Sequence, residues 1–129
     1  MRLNLPRSLA IAALTFASIA ASAAARVEIA PNASPRERYA ADQLRSATAG
    51  LAGNITIVLA PRNSPIFAHD ETLEQFWPGA IEAFVIHRFG SRILIAGSDT
   101  SGTLYGALEL AQRIRESHAI PSTIDFEDH

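Results

Sequence analysis

The loop Gly97-Ser98-Asp99-Thr100-Ser101-Gly102 is where residue type and spacing come nearest to a known chemistry. It meets the first six positions of the phosphate-cradling pattern Gly-x-x-x-x-Gly-Lys-[Ser/Thr]. It also lies between an apolar run and an amphipathic segment, as that motif requires. Thr103 stands where the phosphate-pairing lysine belongs, and Leu104 where the magnesium-binding hydroxyl belongs. Asp99 adds a negative charge inside the cradle. The loop therefore reads as a turn with close packing rather than a nucleotide site.

The remaining candidates are weaker. His69, Asp70, Glu71 and Glu74 cluster in sequence, but neither His-Glu-x-x-His nor an acidic calcium loop is present. Acidic residues in a first helical turn are the ordinary response to the helix dipole. His87 reads as a sheet-face residue beside Arg88, and Ser98 lies outside a Gly-x-Ser-x-Gly elbow. Trp77 and Tyr105 have side chains able to stack on a sugar, but both read as core packing. No catalytic, cofactor-binding or metal residue is assigned.

Composition narrows the functional classes. All 11 basic residues are arginine, so Schiff-base chemistry on a lysine is excluded. With no cysteine there is neither a disulfide nor a thiolate metal site. The net charge of −2 with scattered arginines argues against a nucleic-acid surface. Residues 1–25 read as a signal peptide: Arg2 and Arg7 form a basic start, Leu9 to Ala20 an apolar core, and alanines offer cleavage points. The expected location is periplasmic or secreted, with no membrane association after cleavage. Residues 26–129 suffice for one small domain and not for a barrel of about 250 residues.

The elements that would position these residues are legible from patterning. Val27 and Ile29 alternate in a strand over 26–30. Ser34-Pro35-Arg36-Glu37 is a capping box with proline at the first helical position, starting a helix over 35–49. Ala40, Leu44, Ala47 and Leu51 mark its buried side. A second strand over 54–60 implies a parallel crossover. Pro61 to Gly79 is an irregular surface excursion, with Asp70 to Trp77 as a short helix. Two apolar runs, 82–88 and 92–96, flank Gly90-Ser91, a pair suited to a glycine-first hairpin turn. A helix over 102–116 follows, with Leu104, Ala107, Leu108, Ala111 and Ile114 on its apolar face. Gly102 and Gly106, one turn apart, leave a bare strip suited to close approach of the sheet, since glycine in a helix otherwise costs about 1 kcal/mol.

The run from Ile93 through Gly97-Ser98-Asp99-Thr100-Ser101-Gly102 to Thr103-Leu104-Tyr105-Gly106 resembles the end of the N-terminal domain of bacterial alpha-glucuronidases. The accessory domain of beta-N-acetylhexosaminidases is similar but more distant. Glu82 to Ile86 resembles the preceding strand, and the likeness covers most of residues 26–116, its specific part being Ile93 to Ile114. The resemblance implies a non-catalytic α+β domain over 26–117, connected with glycoside hydrolases of xylan or similar plant glycans. In those families the chain passes near residues 118–129 into a catalytic barrel, so this stretch reads as the tail where a barrel would begin. The implied partners are a glycoside hydrolase barrel or a glycan, with no cofactor; a free-standing glycan-binding or protein-interaction module is the alternative. The fold expected is a mixed sheet of about four strands with two main helices packed on one face.

Overall fold

The computed structural model describes residues 25–68 and 80–128. Strand β1 (Arg26–Glu28) leads to helix α1 (Pro35–Thr48) and strand β2 (Thr56–Pro61). A single 3-10 turn, Pro65–Phe67, follows. Strands β3 (Phe84–Phe89) and β4 (Arg92–Gly97) then form a hairpin, helix α2 (Thr100–Ser117) crosses back, and strand β5 (Asp125–Asp128) ends the sheet.

The strand order is β1-β2-β4-β3-β5. β1 and β2 pair in parallel, as do β2 and β4, whereas β3 runs antiparallel to both β4 and β5. β2 and β4 are the continuously apolar segments, Ile57 to Ala60 and Ile93 to Ala96, and they occupy the sheet interior where both faces are covered. Phe89 pairs with Arg92 across Gly90-Ser91, and Gly90 takes a φ of 57°. That positive φ at the first turn position gives the hairpin a twist matching its strands.

Both helices pack on one face of the sheet. Ala40, Ala41 and Leu44 of α1 meet Ala107, Leu110, Ala111 and Ile114 of α2 over Ile57, Leu59, Ile86, Ile93 and Ile95. Each of the large aliphatic side chains fully buried there contributes about 1.5–3 kcal/mol. The opposite face carries Val58, Ala60, Val85, Leu94 and Ala96, packed with Phe67 from the 3-10 turn. The irregular stretch after β2 is thus more than a surface excursion, because it buries Phe67 against the sheet. The short helix expected over Asp70 to Trp77 lies outside the described residues.

Three features depart from the sequence reading. A fifth strand, β5, joins the expected four. Its Asp-Phe-Glu-Asp sequence directs only Phe126 toward the core, where it stacks on Phe84 at 5.8 Å beneath the Arg113 guanidinium. On the apolar face expected for α2, Ala107, Ala111 and Ile114 are buried as the sequence indicates, and the departure is confined to Leu104 and Leu108. Gly102, Thr103, Gly106 and Leu110 are buried, while Leu104 and Leu108 are half-buried. Finally, Tyr105 is 44% exposed rather than core.

These last two departures share a cause. A Cβ at Gly106 would lie 2.7 Å from Ile95 Cγ2 and 3.0 Å from Phe84 Cδ2, and one at Gly102 would lie 2.1 Å from the Ala83 carbonyl oxygen. The glycine edge is the line of closest approach to the sheet; Ala107, about 100° to one side of Gly106, faces α1 and the core, and Tyr105, about 100° to the other side, turns outward.

Candidate functional site

Local capping fixes the start of each helix. At α1 the Glu37 amide donates to Ser34 Oγ at 3.3 Å, and the Ser34 amide donates to Glu37 Oε2 at 2.7 Å. At α2 the Gly102 amide donates to Asp99 Oδ1 at 2.7 Å, and the Glu82 amide donates to Oδ2 at 3.0 Å. Arg36 on α1 donates to Ser101 Oγ at 2.7 Å and ties the two helix starts together.

This geometry decides the use of the Gly97–Gly102 loop. The Gly102 amide, foremost, holds the Asp99 carboxyl below its ordinary range; desolvation opposes it, and the Glu82 and Ser101 amides and the Arg36 charge add to the lowering. A carboxylate of this chain already occupies the helix N-terminus that a phosphate would use. The glycines serve packing: a Cβ at Gly97 would lie 2.1 Å from the Thr103 amide nitrogen. Ser98 Oγ accepts from the Ala83 amide at 3.1 Å and donates to the Ala83 carbonyl at 3.2 Å, so its hydroxyl anchors the loop to the start of β3.

His87 lies on β3, as its sequence setting suggests. Its Nδ1 is 3.2 Å from Asp125 Oδ1, and its ring centroid is 4.1 Å from that of Phe89. His87 and Asp125 are register partners across β3 and β5, and their contact is a cross-strand pair on the sheet face opposite the helices. Sequence reading missed this pair because Asp125 is 38 positions away, in a segment without strand patterning.

Other carboxylates form surface ion pairs. Glu109 pairs with Arg113 at 3.1 Å, Asp42 with Arg45 at 3.1 Å, and Glu28 with Arg26 at 3.9 Å. Among the described residues, no three His, Asp or Glu side chains form a group able to hold a metal ion. No described helix is long and apolar enough to cross a membrane. His69, Asp70, Glu71, Glu74 and Trp77 lie outside the described residues.

One groove combines ring and polar chemistry. Tyr105, Leu108, Glu109 and Gln112 of α2 line it on one side, and Phe126 and Asp128 of β5 on the other. Its volume is about 270 Å³.

The fold is thus an α+β domain with two helices on one face of a five-stranded mixed sheet. No protein-family model matches the chain, and no curated protein matches it. Thirteen solved chains do match. One is a GH138 enzyme targeting pectin rhamnogalacturonan II, superposed with a TM-score of 0.59 at 21% identity over 81% of this chain. The match covers 15% of that enzyme's chain. At that identity the likeness is one of fold, and the fold is one that a glycoside hydrolase contains.

Proposed function

We propose that this chain is an exported accessory domain of a glycoside hydrolase, acting through packing against a catalytic barrel rather than through catalysis of its own. The observation that carries the reading is the fold match: 81% of this chain corresponds to 15% of a much longer GH138 enzyme. The uses of the described carboxylates in capping and ion pairing agree with it. Within this reading, the alpha-glucuronidase type and xylan or related plant glycans are the finer assignment. It rests on the Ile93–Gly106 resemblance, while the GH138 likeness supports only the broader class.

The experiment is an antibody raised against residues 26–129, used on the cross-linked exported fraction of the native host. Mass spectrometry of the captured polypeptide should find a glycoside hydrolase barrel, continuous with this chain or cross-linked to it. The same spectra should place the mature N-terminus near Ala24 or Arg26, as signal cleavage requires. Recovery of the domain alone would overturn the accessory role, and an intact Met1 on cytoplasmic protein would overturn export. The second reading is a free-standing glycan-binding or protein-interaction module, for which the exposed side chains of Ile81 and Tyr105, at 85% and 44%, offer apolar contacts.

A further inference from the structure

The groove between α2 and the edge strand β5 has the composition of a small sugar-recognition site. Tyr105, Leu108, Glu109 and Gln112 fall at helical spacing along one stripe of α2, facing Phe126 and Asp128. Tyr105 exposes an aromatic ring to solvent, although the glycine strip beside it is buried. We infer that this groove binds a single neutral sugar ring, with Tyr105 as the stacking platform.

Several walls are held before any ligand arrives. Phe126 stacks with Phe84, at 5.8 Å, and lies under the Arg113 guanidinium, 4.3 Å from its ring centroid. The same Arg113 donates twice to Glu109 Oε1, at 3.1 and 3.3 Å. Gln112 donates its amide to Glu116 at 2.9 Å. Side chains ordered in advance lose less entropy on binding. A sugar offers an apolar C–H face for the tyrosine and hydroxyl donors for the carboxylate and amide oxygens.

Size and charge narrow the ligand. A volume of about 270 Å³ lies below the roughly 300–1,000 Å³ of drug-sized pockets and suits one ring rather than a buried chain. Arg113 offsets Glu109, which leaves the Asp128 charge and a net negative lining. A uronic acid would meet like charge, so the favoured ring is uncharged. This sugar-binding role goes beyond the accessory packing role.

The test is a titration of the isotope-labelled full mature chain, followed by its amide signals. Xylotriose, mannotriose and galactobiose serve as neutral probes and glucuronic acid as the charged one. At least one neutral probe should shift the signals of Tyr105, Gln112 and Phe126 at millimolar concentration, and more strongly than glucuronic acid does. Tyr105→Ala and, as a second exposed-site variant, Gln112→Ala should lose those shifts at an unchanged melting temperature, while Tyr105→Trp should keep them. The inference is overturned by no shift from any neutral probe, by a stronger response to glucuronic acid, or by shifts that survive both alanine variants.

Discussion

Asp99 binds two segments with one carboxylate, accepting from Gly102 in its own helix and from Glu82, 17 positions earlier. Glu82 takes a φ of 62°, a left-handed conformation unusual for a residue with a side chain, and its amide contact with Asp99 helps to hold it there. Replacing the cap by Asp99→Ala should cost about 0.5–2 kcal/mol in a denaturant melt at pH 7. The sign of its pH dependence follows from the lowered folded-state pKa. The stabilisation is present above the unfolded value near 3.8 and is lost as pH falls through the lower folded value. The gap between wild type and Asp99→Ala should therefore narrow below about pH 4, and a gap constant down to strong acid would contradict the role. At this scale the sequence was readable where partners are close in the chain. Ser34 and Glu37 announce their capping box within four residues, whereas the Asp99–Glu82 and His87–Asp125 contacts exist only after β3 has paired with its neighbours.

Helix α2 shows what amphipathic spacing can and cannot reveal. Its existence and its approximate ends follow from the apolar repeat, but the repeat alone turns Leu104 and Leu108 inward. The bare strip of Gly102 and Gly106, already legible in the sequence as a line of close approach, sets the angle, because only a bare edge can approach Ala83, Phe84 and Ile95 this closely. Gly106→Leu should therefore destabilise the fold by about 1–3 kcal/mol through overpacking, despite the better helix propensity of leucine. A melt showing no loss would mean that the glycine edge does not face the sheet. Strand β5 was illegible for the opposite reason. An edge strand with one inward residue lacks the apolar alternation that marks strands, and its place is set by Phe126 against Phe84 and by Arg88, which donates to the Pro121 carbonyl at 2.5 Å. The hairpin and the parallel β1-α1-β2 unit needed no such tertiary information, since Gly90-Ser91 and the capping box at Ser34 are local signals.

Across the described residues, the sheet, two helices and the 3-10 turn that buries Phe67 form one packing unit, with Ser34, Glu37 and Asp99 serving its helix caps and His87 and Asp125 a strand pair. Glycoside hydrolysis normally needs two carboxyl groups about 5–9 Å apart across a sugar-sized cleft, one of them with a raised pKa. Asp99, held low by backbone amides, serves as a helix cap and not as such an acid. The α+β class was readable from the order of apolar segments. The exposed Tyr105 groove was not, because it depends on the outward turn of Tyr105 and on the unforeseen β5. The most direct measurement is the release of glucuronic acid from glucuronoxylan oligosaccharides by the purified mature protein alone. An accessory domain should release none. Turnover that survives repurification and disappears on mutating Glu71 and Glu74 would contradict that role and make the acidic segment a catalytic site.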